Sequence, residues 1–317
     1  MGKMINVYAG DELAKYGFPD GHPFSTHRFE AFWNEFTARQ LDKDSRILLC
    51  PPKLADSTSI EYFHTHSYVE KVKQQSETGT GYLDNGDTPA FPGVYEAVGY
   101  VVGTVLEAVK DIMLAQCQQA FVPIAGLHHA HRDQASGFCV FNDCGVAIEF
   151  LFRKYKLSRV AYIDIDAHHG DGVYYAFESN SSLIFADLHE DGRYLFPGTG
   201  AENECGTKEG SGLKLNIPMP MFADDALFIE KFELALAFVA EQNPEFIIFQ
   251  CGVDSLAGDP LTQLQYSPNA HYYAANKLGK LVKQLGHSRM LCLGGGGYNL
   301  ENIASGWCAV LEGLLDD

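Results

Sequence analysis

The chain has 317 residues, of which 46% are hydrophobic and 20% are charged, as in an ordinary soluble globular protein. Its formal net charge is −18, from 41 acidic and 23 basic side chains. A surface of that sign repels phosphate backbones and attracts cations. The charge therefore argues against nucleic acid as a direct substrate. It is consistent either with solubility alone or with a cationic substrate.

The eight cysteines are scattered, and no pair has the C-x-x-C spacing of a zinc finger or a redox motif. The stretch Met1–Gly10 has no apolar signal core, and no apolar run reaches the ~18 residues that a membrane helix requires. We therefore expect a cytoplasmic protein with no membrane association, because the cytoplasm keeps scattered thiols reduced.

The first third of the chain predicts short elements separated by long loops. Ser25 is the predicted N-cap of an amphipathic helix, since Phe29, Trp33 and Phe36 follow at helical spacing. The other predicted elements are a strand at Ile5–Ala9, a loop at Asp11–Phe24, a strand at Ile47–Cys50, a helix at Ile60–Val72 and a loop at Thr78–Gly93.

Helices and apolar strands alternate in the rest of the chain. The predicted helices are Tyr95–Gln119, Asp143–Lys156, Val173–Phe177, Asp225–Gln242 and Ala270–Leu285. The predicted strands are Phe121–Ala125, the stretch from Val160, Leu183–Leu188, Leu213–Pro218, Phe246–Cys251 and Met290–Leu293. Wholly apolar strands that alternate with helices predict an α/β fold with a parallel sheet covered on both faces. No composition break divides the chain, so we expect a single domain over residues 1–317.

The segment Ala161–Val173 begins as a predicted strand and continues into a group of charged and imidazole side chains. Asp166 and His168 are two residues apart, so on an extended chain their side chains point the same way. Asp254 follows a second strand, and the carboxyl ends of parallel strands meet at one edge of a sheet. Three protein ligands with an open fourth position form a catalytic zinc site. Two carboxylates and one imidazole also suit iron(II) or manganese, so ligand type leaves the metal open.

Further reactive side chains follow other strands. His128 and His129 are suited to take a proton from water and return it, because neutral imidazole titrates near pH 7. Asp164 and Asp171 could orient the two imidazoles. Tyr298, after a tetraglycine, could donate a hydrogen bond to an oxyanion. Together these residues predict metal-assisted hydrolysis of an amide or ester.

Five motifs occur in the order GLHHAHRDQASGFCVFND, YIDIDAHHGDGVYYAF, LFPGTG, QCGVDSLAGDPL and LGGGGYN. With these motifs the chain resembles the histone deacetylase superfamily from about Gly21-His22-Pro23 to the C-terminal helix. Within it, the chain is most similar to the bacterial acetoin-utilisation-type deacetylases and the class I enzymes. The resemblance implies an arginase/deacetylase fold with a central, mostly parallel sheet. It also implies hydrolysis of an acetylated amine to acetate and free amine.

The resemblance also implies roles for the residues at the strand ends. Asp166, His168 and Asp254 match the family's zinc ligands. The histidine pair matches His128 and His129, with His129 as general base. Asp164 and Asp171 match the carboxylates behind the pair, and Tyr298 matches the tyrosine that polarises the acetyl carbonyl.

A second set of residues matches the family's substrate tunnel. Gly137, Phe138 and Phe196 match its walls, and Leu261 matches an apolar residue at its rim. Asp87 matches the rim aspartate that holds the substrate backbone. Arg28 falls where the family has an arginine in the channel below the metal.

The family also has a monovalent cation site, expected to hold a structural potassium ion. The matching positions are Asp164, Asp166, the His168 carbonyl, Asp187 and Leu188. Relatives commonly place a serine where this chain has Asp187. The extra carboxylate either holds potassium more strongly or changes the local charge balance. His169 matches a family histidine that is not a zinc ligand and has no assigned role.

Three other functions compete with a deacetylase of acetyl-lysine in proteins or peptides. A ureohydrolase with two manganese ions would need an aspartate where the chain has Gly170. An acetylpolyamine amidohydrolase would use the same machinery and suit an acidic surface, but such enzymes carry a long early insertion. The stretch before Arg28 is short, which favours an open tunnel. A catalytically silent acetyl-lysine-binding protein would lack a ligand, a histidine or the tyrosine, and none is missing. The oligomeric state stays open.

Overall fold

The computed structural model of the protein describes residues 4–19 and 21–317. Residues 1–3 belong to the predicted Met1–Gly10 stretch and Asp20 to the predicted Asp11–Phe24 loop, and these positions lie outside the described residues. Within the described ranges, no helix has both the length and the apolar character needed to cross a membrane.

Eight strands form one sheet in the described part of the chain, and every neighbouring pair is parallel. The strands are β1 (Ile5–Tyr8), β2 (Ile47–Cys50), β3 (Gln119–Val122), β4 (Val160–Asp164), β5 (Leu183–Glu190), β6 (Lys214–Met219), β7 (Phe246–Gln250) and β8 (Met290–Leu293). Their order across the sheet is β2-β1-β3-β8-β7-β4-β5-β6. The sheet is thus wholly parallel, as the alternation of apolar strands with helices predicted.

Ten α-helices connect or flank these strands in the described residues. They are α1 (Asp11–Ala14), α2 (His27–Ala38), α3 (Ser57–Ile60), α4 (His66–Thr78), α5 (Val94–Met113), α6 (Asp143–Tyr155), α7 (Asp171–Phe177), α8 (Asp225–Glu241), α9 (Pro268–Gln284) and α10 (Leu300–Leu315). Helix α10 packs on α9 and α2, whereas α5 packs on α6. Every residue of β3, β4, β5, β7 and β8 is buried, which explains their nearly continuous apolar sequences.

Four local predictions differ from the structure. The predicted helix Ile60–Val72 begins at the last residue of α3, runs through non-helical residues 61–65 and continues in α4, whose N-cap Thr65 accepts a hydrogen bond from the Tyr68 amide. The predicted loop Asp11–Phe24 begins with the short helix α1. The N-cap position of α2 is Thr26 rather than Ser25, and no side-chain hydrogen bond caps this helix. Helix α5 ends at Met113, since Gln119 already pairs with Met290 in the sheet.

The sheet order explains how distant segments meet. Strands β3, β8, β7 and β4 are consecutive neighbours at the centre of the sheet. They are followed by His128–His129, Tyr298, Asp254 and Asp166–His168, respectively. Since all four strands point the same way, these side chains gather at one edge, where ligands bind in open α/β sheets.

Candidate active site

Asp166, His168 and Asp254 form a buried cluster at this edge. One ligand atom from each residue lies within 4.8 Å of the others. His168 Nδ1 lies 3.2 Å from Asp166 Oδ1 and 3.1 Å from Asp254 Oδ2. This is a three-ligand set of the type that binds a catalytic metal ion.

The surroundings of the cluster fit a small cation. A Cβ atom at Gly252 would lie 2.1 Å from Asp166 Oδ2, and one at Gly296 would lie 2.1 Å from Asp254 Oδ2. Only glycine therefore leaves space at both carboxylates. Burial, and then the charge of Asp166, raise the pKa of Asp254 to about 7. A divalent cation between the two carboxylates would offset their mutual repulsion.

Backbone and side-chain donors fix the orientation of both carboxylates. The Ala167 amide donates to Asp254 Oδ1 at 2.8 Å. The Gly296 amide and Gln250 Nε2 each donate to Asp166 Oδ2 at 2.8 Å. The geometry of the cluster is thus set by β4, β7 and the loop after β8.

The two adjacent histidines lie beside the cluster, and each is backed by a carboxylate. His128 Nδ1 lies 2.8 Å from Asp164 Oδ2, and His129 Nδ1 lies 2.7 Å from Asp171 Oδ1. The two Nε2 atoms lie 3.1 Å apart. A hydrogen bond from Nδ1–H to a carboxylate fixes the tautomer and leaves Nε2 as the reactive atom.

The electrostatic environments of the two imidazoles differ. Burial lowers the pKa of His128, but the charges of Asp164 and Asp166 outweigh burial and raise it to about 10. Burial, and then the charge of His128, lower the pKa of His129 to about 4. The two rings are therefore suited to different steps of a proton transfer, with His129 the more readily neutral one.

Tyr298 is held in place by contacts on several sides. Its amide donates to Asp259 Oδ2 at 2.8 Å, and its ring lies 5.8 Å from the Phe138 ring and 6.5 Å from the His168 ring. Behind it, the fully buried Arg28 donates to the Gly297 carbonyl at 2.9 Å and to the Gly295 carbonyl at 2.5 Å. Arg28 thus braces the glycine segment that carries Tyr298.

Three of the residues predicted to form the tunnel, Gly137, Phe138 and Phe196, lie against side chains of this centre. The Phe196 ring is 5.0 Å from His129 and 6.3 Å from His168, and it is 44% exposed. A Cβ atom at Gly137 would lie 2.5 Å from the His129 ring. Leu261 is exposed, in the loop that follows Asp259. Asp87 is exposed in the loop between α4 and α5.

Asp187 lies opposite Asp164 on the neighbouring strand, and both are fully buried. Asp187 Oδ1 contacts His189 Nδ1 at 2.7 Å, and Oδ2 accepts from the Gly170 amide at 2.9 Å. His169 points away from the cluster, and its Nδ1 lies 2.8 Å from the Thr199 hydroxyl. The contacts thus place His169 against the LFPGTG loop.

Several side chains at the site were missed in the sequence. Gln250 and Asp259 are described above, and Asp143 accepts from the amides of Gly126 and Leu127 before the histidine pair. Gln250 offered one signal, a lone polar residue at the end of an apolar strand. His64 is buried and lies outside the cluster.

A wholly parallel sheet with helices around it and a candidate metal cluster at its carboxyl edge defines the arginase/deacetylase fold, as the sequence predicted. A family model, the histone deacetylase domain, matches residues 22–314. The chain belongs to the histone deacetylase family and is a hydrolase of that family.

Named relatives agree with this assignment. The acetoin utilization protein AcuC of Bacillus subtilis (strain 168) is 38% identical over 296 residues, which cover 91% of this chain and 76% of AcuC. AcuC of Staphylococcus xylosus is 30% identical over 320 residues, covering 98% and 82% of the two chains. The crystal structure of the HDA15 HD domain matches this chain with a TM-score of 0.89 and 26% sequence identity. The match covers 99% of this chain and 90% of the HDA15 chain.

Proposed function

We propose that the protein is a zinc-dependent deacetylase that removes acetyl groups from N-acetylated amines, with acetyl-lysine side chains of proteins or peptides as substrates. The observation that carries the proposal is the cluster of Asp166, His168 and Asp254 beside two carboxylate-backed histidines. Membership of the histone deacetylase family and the similarity to AcuC support the reaction type.

The metal would be held by Asp166, His168 Nδ1 and Asp254. Zinc bound there would supply a Lewis acid toward a water molecule and the acetyl carbonyl oxygen. Iron(II) suits the same ligand set and is the alternative metal. Gly170 stands where a second, bridging aspartate would be needed, which supports a single-metal site.

The histidine pair would move protons. His129 is the proposed general base for the attacking water, since Asp171 holds its Nδ1 and leaves Nε2 as the atom that would accept the proton. His128, held by Asp164, would share the proton across the 3.1 Å between the two Nε2 atoms. One of the pair would then protonate the departing amine.

Tyr298 would donate a hydrogen bond from its hydroxyl to the acetyl oxygen as negative charge develops there. A donor that is oriented in advance gains most in the transition state. The contacts of Tyr298 with Asp259 and Phe138 provide that orientation.

The remaining residues would bind the substrate outside the reacting centre. Gly137, Phe138 and Phe196 would enclose the aliphatic stem of the acetylated amine, and Leu261 would contact it at the rim. Asp87 would accept hydrogen bonds from the substrate backbone, which an acetylated polyamine does not have.

We also propose a structural potassium ion beside this centre, bound by Asp164, Asp166, the His168 carbonyl, Asp187 and Leu188. The support is the packing of Asp164 opposite Asp187, two fully buried carboxylates on paired strands. A monovalent cation would offset their repulsion. Replacing potassium by tetramethylammonium should lower the melting temperature, and an unchanged value would contradict the site.

The net charge of −18 favours one rival, an acetylpolyamine amidohydrolase, because an acidic surface attracts polycations.

We also propose that residues 1–317 form one deacetylase domain and that the protein acts in the cytoplasm.

The test is release of acetate from an acetyl-lysine peptide and from an acetylated polyamine, with and without chelator. We expect chelator-sensitive release that is faster from the peptide and is restored by zinc or iron(II). Faster release from the polyamine would favour the rival. No metal-dependent release from either substrate would contradict the enzyme proposal and favour a silent binding protein.

A further inference from the structure

Thr88 lies between the proposed backbone-binding aspartate and the tunnel wall. Its side chain is fully buried. The Thr88 hydroxyl accepts from the Phe138 amide at 3.1 Å and donates to Asp87 Oδ1 at 3.1 Å. A hydroxyl has a single hydrogen, so the bond to Asp87 uses its whole donor capacity.

Phe138 needs such support, because its backbone is unfavourable. Phe138 has φ = 66°, directly after Gly137 at φ = 53°. A bulky residue in the left-handed region persists only where neighbouring groups hold it. The Phe138 carbonyl accepts from the Tyr16 hydroxyl at 2.6 Å, so Tyr16 and Thr88 hold its two backbone polar groups.

The loop of Asp87 is also held, but through its backbone. Asp84 Oδ1 accepts from the amides of Gly86, Asp87 and Thr88 at 2.9, 3.1 and 3.0 Å. His22 Nδ1 accepts from the Phe24 amide, so its Nε2 carries the proton and donates to the Asp87 carbonyl at 3.1 Å. The Asp87 carboxylate is contacted by the Thr88 hydroxyl and by the Asp84 carboxylate, and of these two groups Thr88 is the one that also contacts the Phe138 amide.

His22 also connects this loop to the same wall. Its ring packs against the ring of Phe138, with 4.5 Å between centroids and 82° between planes. The loop and the wall are thus joined twice, once through His22 and once through Thr88. Only the Thr88 contact reaches a side-chain oxygen of Asp87.

We propose that Thr88 is a positioning residue that aims the Asp87 carboxylate at the backbone of an acetyl-lysine substrate. The inference rests on the proposed function, since it takes Asp87 as the acceptor for substrate amides. Thr88 itself does not touch the substrate. Its hydroxyl fixes the carboxylate in relation to Phe138, and thereby in relation to the entering side chain.

The experiment compares Thr88→Val, which keeps the shape and loses the hydroxyl, with Thr88→Ser, which keeps the hydroxyl. Each is assayed on an acetyl-lysine peptide and on a monoacetylated diamine of the same stem length, which has no flanking amides. Thr88→Ala replaces Thr88→Val if the valine variant does not fold. Asp87→Ala and the double variant, which combines Asp87→Ala with Thr88→Val, complete a double-mutant cycle.

For the peptide, we expect Thr88→Val to raise KM about tenfold, the effect of losing one hydrogen bond to a charged group. We expect kcat to stay within about twofold, Thr88→Ser to resemble the wild type, and the double variant to be no worse than Asp87→Ala. For the diamine, KM should rise less, and only through the lost support of the Phe138 amide. These results together would support the positioning role.

Equal losses on both substrates, additive effects in the double variant, or a Thr88→Ser variant as impaired as Thr88→Val would overturn it. If the wild type deacetylates both substrates and Asp87→Ala changes neither, the inference fails and the proposed deacetylation stands. If the wild type deacetylates neither substrate, the proposed function itself fails.

Discussion

His189 Nδ1 lies 2.7 Å from Asp187 Oδ1, and both side chains are fully buried. The other ring nitrogen, Nε2, lies 2.9 Å from the Gly200 carbonyl oxygen. Both nitrogens face acceptors, so the ring donates from both and is an imidazolium. The fold therefore places a fixed positive charge against the Asp187 carboxylate.

Replacing His189 by leucine should destabilise the protein by about 3–5 kcal/mol, because it leaves the Asp187 carboxylate buried with no countercharge from the ring. Urea unfolding at pH 7 and constant potassium concentration measures the loss. The double variant Asp187→Ser, His189→Leu should lose less than the sum of the two single losses. A loss below about 1 kcal/mol for His189→Leu would contradict the buried ion pair.

The residues at the strand ends could be predicted because apolar parallel strands have a characteristic sequence and end at one edge. The strand neighbours could not be predicted, and only the order β3-β8-β7-β4 brings His128 close to Tyr298. Contacts set by tertiary packing also left no local pattern. Thr88 has no distinguishing pattern in the sequence, and its contact with the Phe138 amide is visible only in the folded structure. The roles of Tyr298, Asp254 and Gly137 remain predictions, and the following experiments test them.

Tyr298→Phe should lower kcat by about 10²–10³-fold, the effect of removing one oriented donor to a developing oxyanion. Metal content should not change, because the hydroxyl is not part of the three-ligand cluster. Turnover of an acetyl-lysine peptide and metal analysis are the two measurements. Tyr194→Phe, at a 61% exposed site, is the matched control and should behave as wild type. Loss of metal from Tyr298→Phe would show that its proposed role is wrong.

Asp254→Ala should lose most of its bound metal, since one of three ligands is removed. Metal content after dialysis against a weak chelator measures the effect. The control is Asp133→Ala, which removes the same charge from an exposed position. A fully loaded Asp254→Ala variant would contradict the assignment of Asp254 as a ligand.

Gly137→Ala should abolish most activity, because its Cβ would lie 2.5 Å from the His129 ring and 2.9 Å from the Phe196 ring. Gly212→Ala is the matched control, since Gly212 also has a left-handed φ of +78° but no atom within 4 Å of an added Cβ. Both variants should lose about 1–2 kcal/mol of stability from the left-handed backbone. Only Gly137→Ala should lose turnover, and equal turnover in the two variants would contradict the close approach at His129.

His64 should make the stability of the protein fall in acid. Its ring is 3% exposed, and its Nε2 accepts from the Asn142 amide at 2.8 Å. Burial, with a further contribution from the charge of Arg132, lowers the pKa of His64 to about 3. The rings of Tyr68 and Phe141 pack against it. The fold therefore favours the neutral ring.

The unfolded chain takes up a proton at His64 as the pH falls below ~6.5, while the folded chain does so only near the lowered pKa. The contribution of the neutral His64 ring to stability is therefore complete above pH ~6.5. It is lost as the pH falls toward the lowered pKa that His64 has in the folded chain. Between pH 7 and pH 5 the wild type should lose about 2 kcal/mol more than His64→Gln.

Urea unfolding of both proteins at the two pH values gives this difference, in which the titration of other groups cancels. The exposed His66 provides a control of opposite sign, since its hydrogen bond to Glu61 raises its pKa. A raised folded pKa contributes stability at low pH, so His66→Gln should lose more stability in acid than the wild type does. If His64→Gln and the wild type lose stability equally between pH 7 and pH 5, the buried ring is not held neutral by the fold.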